Sequence, residues 1–232
     1  MKVFKYLCLA ILLSFTAFNS IVPAQARERF VKPVDEAKKD PTFFAFREKL
    51  IAAVKKKDAK YLLSIVDEKI KNGFGGEDGI NEFKSRWDFG GPDNDDFWRE
   101  FLPVITNGGS FAKEIKPKNS LFFAPYVFQF FPEDLDAFEY RVITGNNVNL
   151  RKEGNVNAPV VAVLSYNIVK VDEDNSIEGR GKDGVMDWYA VETLGGKRGF
   201  VKAEYVRSPV DYRAGFEKIK GKWKMTFFAA GD

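Results

Sequence analysis

The sequence predicts an α+β fold, in which a helix-rich first half is followed by a small β-barrel. Two observations lead to this prediction. Up to Gly109, apolar residues recur at helical spacing behind polar residues of the kind that begin helices, as at Asp40-Pro41. From Tyr140 onward, short apolar segments alternate with turn residues at the close spacing that is typical of a small barrel.

The first half is expected to hold four helices. Asp40 and Asp58 are predicted to cap the first two, and the fourth is predicted over residues 95–106, closed by a Gly-Gly pair. A short strand is expected over residues 69–74. The aromatic segment 120–131 is interpreted as a strand pair or as one long buried strand. The polar segment 171–187 is interpreted as a loop.

The first 26 residues have the organisation of a cleavable secretory signal. Lys2 and Lys5 give it a positive start, residues 6–18 form an apolar run, and Ala24 and Ala26 supply the small residues of a cleavage site. The alternative is an uncleaved anchor, but the run is shorter than a membrane-spanning helix requires. We therefore expect an exported protein, periplasmic or secreted, without a membrane anchor after cleavage.

Cleavage would leave a chain that begins near Arg27 with a charged, Pro-containing leader over residues 27–39, which is expected to be loose. The formal net charge falls from +3 to +1, so we expect no nucleic-acid partner. The single cysteine, Cys8, leaves with the signal, and the sequence has no histidine. Ser-His-Asp and Cys-His catalysis and histidine-bearing zinc sites are thereby excluded. We expect no enzymatic activity and no cofactor.

Two acidic segments, residues 93–96 and 172–176, contain the oxygen ligands that calcium prefers. The calcium loop of EF-hand proteins also requires glycine at its sixth position and glutamate at its twelfth. Counting from Asp172 as the first position, the sixth is Ile177 and the twelfth is Asp183, and the segment that begins at Asp93 fails in the same way. The sequence therefore predicts no metal site.

Residues 140–206 resemble a bacterial SH3-like (SH3b) domain. Three segments carry the resemblance: GNNVNLR at 145–151, NAPVVAVL at 157–164, and WYAV at 188–191 followed by GKRGFV at 196–201. Asn167 and Phe200 depart from the glycine and tryptophan that are common at these positions. The resemblance implies an SH3-like barrel over residues 138–209, and ligands such as peptidoglycan stem peptides or protein partners in the cell envelope.

The flanking segments show a second resemblance. Residues 43–87 look like the opening of an NTF2-like domain, and residues 216–225 (FEKIKGKWKM) are similar to the strands that end such domains. If both ends belong together, residues 40–137 and 210–232 form one discontinuous α+β domain with the barrel inserted. The alternative is a free-standing α+β domain beside a terminal hairpin that packs locally.

Four aromatic residues of the SH3-like segment are the candidate binding residues: Trp188, Tyr189, Phe200 and Tyr205. Trp188 and Tyr189 must point to opposite faces of a strand, so one is expected in the core and the other at the surface. Arg198 is expected to contribute to a basic rim. The alternative is that all four aromatic residues pack inside the protein.

These observations predict an exported, non-enzymatic binding or scaffold protein whose SH3-like barrel binds cell-wall peptide or an envelope protein. Two other hypotheses stay open. An NTF2-like pocket with a carboxylate or tyrosine as its polar group would bind a small ligand or act as an enzyme. In the third hypothesis, the barrel is a structural insertion only.

Overall fold

The computed structural model describes residues 27–89, 95–179 and 184–231. The predicted signal, with Ala24 and Ala26, lies outside the described residues. The α+β class is confirmed, because five α-helices and two sheets are present in the described part of the chain. The helices are α1 (Pro41–Lys55), α2 (Ala59–Ile65), α3 (Ile80–Trp87), α4 (Asp95–Thr106) and α5 (Tyr126–Phe130). No described helix has the length and apolar character needed to cross a bilayer.

Strands from both ends of the chain form a five-stranded sheet. Its order is β1 (Val66–Lys71), β12 (Lys222–Ala229), β11 (Arg213–Ile219), β3 (Leu121–Ala124) and β2 (Ser110–Phe111). Only the β1–β12 pair is parallel. The terminal hairpin β11–β12 therefore lies in the middle of a sheet whose other strands come from residues 66–124, before the barrel module.

Aromatic rings fill the space between this sheet and helices α1 to α4. Phe43 of α1 lies 4.2 Å from Phe122 and 4.8 Å from Trp223, measured between ring centroids. Phe97 of α4 lies 5.5 Å from Phe228 of β12. Tilted and edge-on contacts at these distances add to the stability gained from burying the rings. We call this part of the protein the sheet-and-helix module.

The caps of the first two helices are confirmed. The Asp40 carboxylate accepts hydrogen bonds from the backbone N–H groups of Thr42 and Phe43, and Pro41 occupies the first turn of α1. The Asp58 carboxylate accepts one from the N–H of Tyr61 at the start of α2. These bonds satisfy N–H groups that have no partner within the helix.

The second sheet has seven strands, all antiparallel, and curls into a half-barrel. It contains β4 (Tyr140–Ile143), β5 (Val148–Arg151), β6 (Val160–Leu164), β7 (Ile168–Glu178), β8 (Met186–Thr193), β9 (Arg198–Lys202) and β10 (Val206–Arg207). Its order is β10-β4-β7-β8-β9-β5-β6. Leu150, Val169, Val191 and Val201 belong to its apolar core. We call residues 140–207 the barrel module; in the chain it lies between β3 and β11.

The leader over residues 27–39 is not loose, so that prediction is wrong. Its residues 28–39, which we call the strap, contact both modules. The Val31 N–H donates to the carbonyl of Tyr166 (2.9 Å) in the barrel module. At the other end of the strap, the Gly109 N–H donates to the Val34 carbonyl, and the Gly109 carbonyl accepts a hydrogen bond from the N–H of Glu36. A Cβ on Gly109 would lie 2.1 Å from the Phe123 carbonyl oxygen, so only glycine allows this approach.

Three further predictions need correction. The first strand spans Val66–Lys71 and not residues 69–74. The segment 120–131 forms β3 and then α5, because Pro125 starts a short helix whose Tyr126 and Val127 are buried. The segment 171–187 is largely strand, since β7 runs to Glu178 and β8 begins at Met186, with Ile177 paired to Trp188.

Candidate functional site

The candidate residues lie on the β8–β9 hairpin, where regular antiparallel pairing fixes which side chains share a face. Trp188 pairs with Lys202, Ala190 with Phe200, and Glu192 with Arg198. Directly opposite residues of antiparallel strands lie on the same face, and alternate residues return to it. These six residues therefore form one row on the face away from the barrel core, which we call the hairpin row. The intervening Tyr189, Val191 and Val201 pack toward the core.

A groove of about 620 Å³ lies along the middle and one end of the hairpin row. Val171, Ala190 and Phe200 supply apolar lining, and charged side chains supply most of the remainder. The charged residues that line it are Lys152, Lys170, Arg198, Asp172, Glu173, Asp174 and Glu192. Both signs of charge therefore flank an apolar centre, which is an arrangement suited to a ligand that itself carries both signs.

Several of these charges are held by neighbours. The Arg198 Nε donates to a Glu192 carboxylate oxygen at 2.8 Å. Lys170 forms an ion pair of 2.8 Å with Glu139, and that hydrogen bond raises the pKa of Lys170. Within the described ranges, Lys152 and Asp174 have no ion-pair partner. Lys152 and Asp174 are therefore available to a ligand, and so is Asp172, whose carboxylate accepts hydrogen bonds only from Asn175 among the described residues.

The Trp188 end of the hairpin row borders a second groove, of about 330 Å³. Tyr205 lies there, in the 3-10 turn Ala203–Tyr205, and its ring is exposed. Trp188 is buried, because Gly154 and Ile177 cover it, and a Cβ on Gly154 would lie 3.1 Å from the indole Cγ. Tyr205 can thus contact a ligand with its ring, whereas Trp188 mainly supports the groove.

Tyr189 lies apart from the other candidates. It packs toward the barrel core, and the Arg141 guanidinium lies 4.5 Å from the centre of its ring. Arg141 also forms an ion pair with Glu173. Tyr189 lines a cleft of about 560 Å³ to which both modules contribute, together with the buried Arg207. The structure therefore brings Trp188, Phe200, Arg198 and Tyr205 to two grooves along the same hairpin and places Tyr189 elsewhere.

Sequence reasoning missed most of the charged lining of the larger groove. Lys152 belongs to the loop after β5, and Lys170 and Asp172 lie on β7. The alternation of β7 does place Lys170 and Asp172 on one face, which was an available signal. From the sequence, the segment around Asp172 is interpreted as a polar loop that does not fit a calcium site. Among the described residues, no group of three or more Asp, Glu, Cys or His residues is arranged to hold a metal ion.

No protein-family model matches the chain, and no curated protein is significantly similar to it in sequence.

Proposed function

We propose that the barrel module is an SH3-like domain inserted into an NTF2-like domain. Two features support this assignment. In the barrel module, the β8–β9 hairpin is followed by the 3-10 turn Ala203–Tyr205 and the short strand β10, at the end of the SH3b-like segment. In the other module, the terminal hairpin joins β1 and β3 in one sheet.

We further propose that the protein is an exported, non-enzymatic binding protein, and that its hairpin row holds an extended cell-wall peptide. The observation that carries this proposal is the shared face of Trp188, Phe200 and Arg198 beside a groove with both signs of charge. The secretory organisation of residues 1–26 supports export, and the lack of histidine supports binding over catalysis.

The chemistry of wall peptides matches the groove. Stem peptides carry carboxylates and, at a diamino acid, a free amine along an extended backbone. Lys152 and Arg198 can pair with the carboxylates, and Asp172 or Asp174 can pair with the amine. The apolar surface of Phe200 and Ala190 lies between these groups. Because each of these charged pairs would lie at a solvent-exposed rim, we expect specificity from their arrangement more than high affinity.

The hypothesis of a pocket in the NTF2-like module has no specific observation in its favour. Between the five-stranded sheet and the helices, the side chains of Phe43, Phe97, Phe101, Phe122 and Phe228 are fully buried and pack ring against ring. A ligand would have to displace these rings. We therefore place the binding function on the barrel module.

The proposal predicts that Phe200→Ala weakens binding to purified cell-wall sacculi by about tenfold, since a central aromatic contact is worth more than about 1 kcal/mol. Co-sedimentation with sacculi measures the dissociation constant. The matched control is Phe138→Ala, which removes an exposed phenylalanine that lines neither groove. A soluble stem peptide should compete with sacculi for the wild-type protein.

Three outcomes would overturn the proposal. Wild-type protein that does not sediment with sacculi would exclude wall binding and leave an envelope protein or a purely structural barrel. Equal losses for Phe200→Ala and Phe138→Ala would show that the groove is not the binding surface. Competition by a glycan fragment, but not by the stem peptide, would show that the ligand is the sugar chain.

A further inference from the structure

A separate cavity of about 450 Å³ lies on the sheet-and-helix module beside β2. The strap supplies one wall through Glu36 and Lys39, and the segment that connects β2 to β3 supplies the other. The lining consists of Glu36, Lys39, Phe111, Ala112, Lys113, Lys118 and Asn119. None of these residues lines the grooves of the hairpin row. Any function of this cavity is therefore independent of the proposed peptide site.

Positive charge predominates in this cavity, because three of its lining residues are lysines and one is an acid. The acid, Glu36, is already engaged by the protein. One of its carboxylate oxygens accepts a hydrogen bond from Lys39 Nζ (2.6 Å), and the other accepts one from the Phe111 N–H (3.2 Å). Burial raises the pKa of Glu36, but these two hydrogen bonds and nearby Lys113 outweigh burial and hold that pKa below its usual value. Glu36 thus stays ionised and holds Lys39 at the cavity.

The other two lysines of the cavity are not neutralised. Across the residues that the structure describes, Lys113 and Lys118 have no carboxylate within ion-pairing distance. Lys116, between them in the sequence, adds a third cation to the same segment, against the single acid Glu114. The whole chain is close to neutral, with a formal charge of +3 over 232 residues. The excess of positive charge here is therefore a local feature and not part of a general basic surface.

We propose that this cavity binds a small multivalent anion of the phosphate class, as a free phosphate or as a phosphate ester. Lysine ammonium groups bind phosphate as point charges, and several of them around one cavity suit an anion with several charged oxygens. Phe111 lines one side of the cavity and is buried, so water has little access on that side, which strengthens the attraction between the ammonium groups and the anion. Lys113 and Lys118 would contact the anion directly, with Lys39 completing the site from the strap.

Isothermal titration calorimetry with inorganic pyrophosphate at low ionic strength tests this proposal. The chain beginning at Arg27 should bind pyrophosphate, and the variant Lys113→Ala/Lys118→Ala should bind it at least about tenfold more weakly, since each lost contact is charge-assisted. The control variant Lys55→Ala/Lys56→Ala removes two exposed lysines at the end of α1, which form no ion pair with any residue that the structure describes. It should bind like the wild type. Thermal unfolding checks that both variants fold.

Either of two calorimetric results would overturn the proposal: no pyrophosphate binding by the wild type at about 1 mM ligand, a weak but measurable range, or equal loss in both double variants. Equal loss would indicate a diffuse charge effect and not a site. Parallel titrations with inorganic phosphate and with glycerol phosphate diesters distinguish a free anion from the phosphate of a polymer or lipid headgroup. Backbone NMR shifts should concentrate in residues 111–119, and shifts confined to other regions would also contradict the site.

Discussion

At the scale of single residues, two arginine–aspartate pairs have nearly the same geometry and differ in burial. Arg47 donates from both terminal nitrogens to Asp35 at 2.7 and 2.8 Å, and Arg29 donates to Asp134 at the same two distances. The Arg47 side chain is only 8% exposed, whereas the Arg29 side chain is 37% exposed. Removing the carboxylate partner lowers the free energy of unfolding far more for a buried arginine than for an exposed one, because water cannot take the place of the partner.

We therefore predict that Asp35→Asn lowers the free energy of unfolding by about 2 kcal/mol, less than for a fully buried pair because Asp35 itself is half exposed. The matched control, Asp134→Asn, should change it by less than about 1 kcal/mol. Chemical denaturation measures both changes. Equal effects of the two substitutions would contradict the importance of burial for the Asp35–Arg47 pair.

The Asp35–Arg47 pair also leads to a prediction about how stability depends on pH. Burial raises the pKa of Asp35, but the hydrogen bonds from Arg47 and from the Ala37 N–H outweigh burial and leave the pKa below its ordinary value of 3.8. A lowered carboxyl pKa contributes stability that is present above the ordinary value and is lost as the pH falls through the folded-state value. The stability difference between wild type and Asp35→Asn should therefore shrink as the pH falls below about 3.8.

Sequence alternation predicted correctly that Trp188 and Tyr189 lie on opposite faces of a strand, but it could not say which of them is buried. The cover over Trp188 comes from Ile177, its cross-strand partner on β7, and from Gly154, which is distant in sequence. Arg141, which stacks on Tyr189, is more distant still. Long-range contacts of this kind leave no local pattern in the sequence.

At the scale of elements, the strap shows why composition misled the sequence prediction. Residues 27–39 are rich in charge and contain proline, which usually indicates an unpaired leader. Part of its attachment is made by the backbone: Ile168 donates to the Arg29 carbonyl, and Val31 donates to the Tyr166 carbonyl. Backbone hydrogen bonds do not depend on side-chain type. Charged side chains of the strap pair with residues that are distant in sequence, as Arg29 does with Asp134, so neither kind of contact leaves a local pattern.

The attachment of the strap also depends on the buried side chain of Val31. Val31 packs with Tyr126, Val127, Val142 and Ile168 in a small cluster. We predict that Val31→Asp detaches this end of the strap, because a carboxylate there would be buried among apolar groups at a cost of about 3 kcal/mol. Chymotrypsin should then cleave after Phe30 much faster than in the wild type. Lys32→Asp, at the exposed neighbouring position, is the control, and equal cleavage of both variants would refute the prediction.

Other elements followed from the sequence to different degrees. Helices α1 and α2 were predicted with their caps, because an aspartate before a helical pattern is a local signal. The C-terminal part of β7 and its pairing with the start of β8 were not predicted, because residues 171–178 are mostly polar and lie near the surface. Beyond Asp172, no alternation of apolar and polar residues marks the strand.

At the scale of the whole molecule, the strand order of the larger module cannot be read from local sequence. Ala214 of β11 pairs with Ala124 of β3, and the intervening residues include the entire barrel module. The resemblance of residues 216–225 to a domain-ending strand was the only indication that the two ends of the chain meet. In the candidate site, the sequence indicated Phe200, Arg198 and Tyr205, whereas Lys170 reaches the groove through the pairing of β7 with β8, and Lys152 through the pairing of β5 with β9.

The most direct test of the central claim is an NMR titration of the isotope-labelled chain, beginning at Arg27, with a soluble stem peptide. We expect backbone shifts to concentrate in β7, β8 and β9 around the larger groove, above all at Asp172, Ala190 and Phe200. Residues of the five-stranded sheet should not shift. Shifts that centre on Tyr189 and Arg207 in the cleft, or no shifts at about 5 mM peptide, beyond the weakest specific range, would contradict the hairpin row as a peptide-binding site.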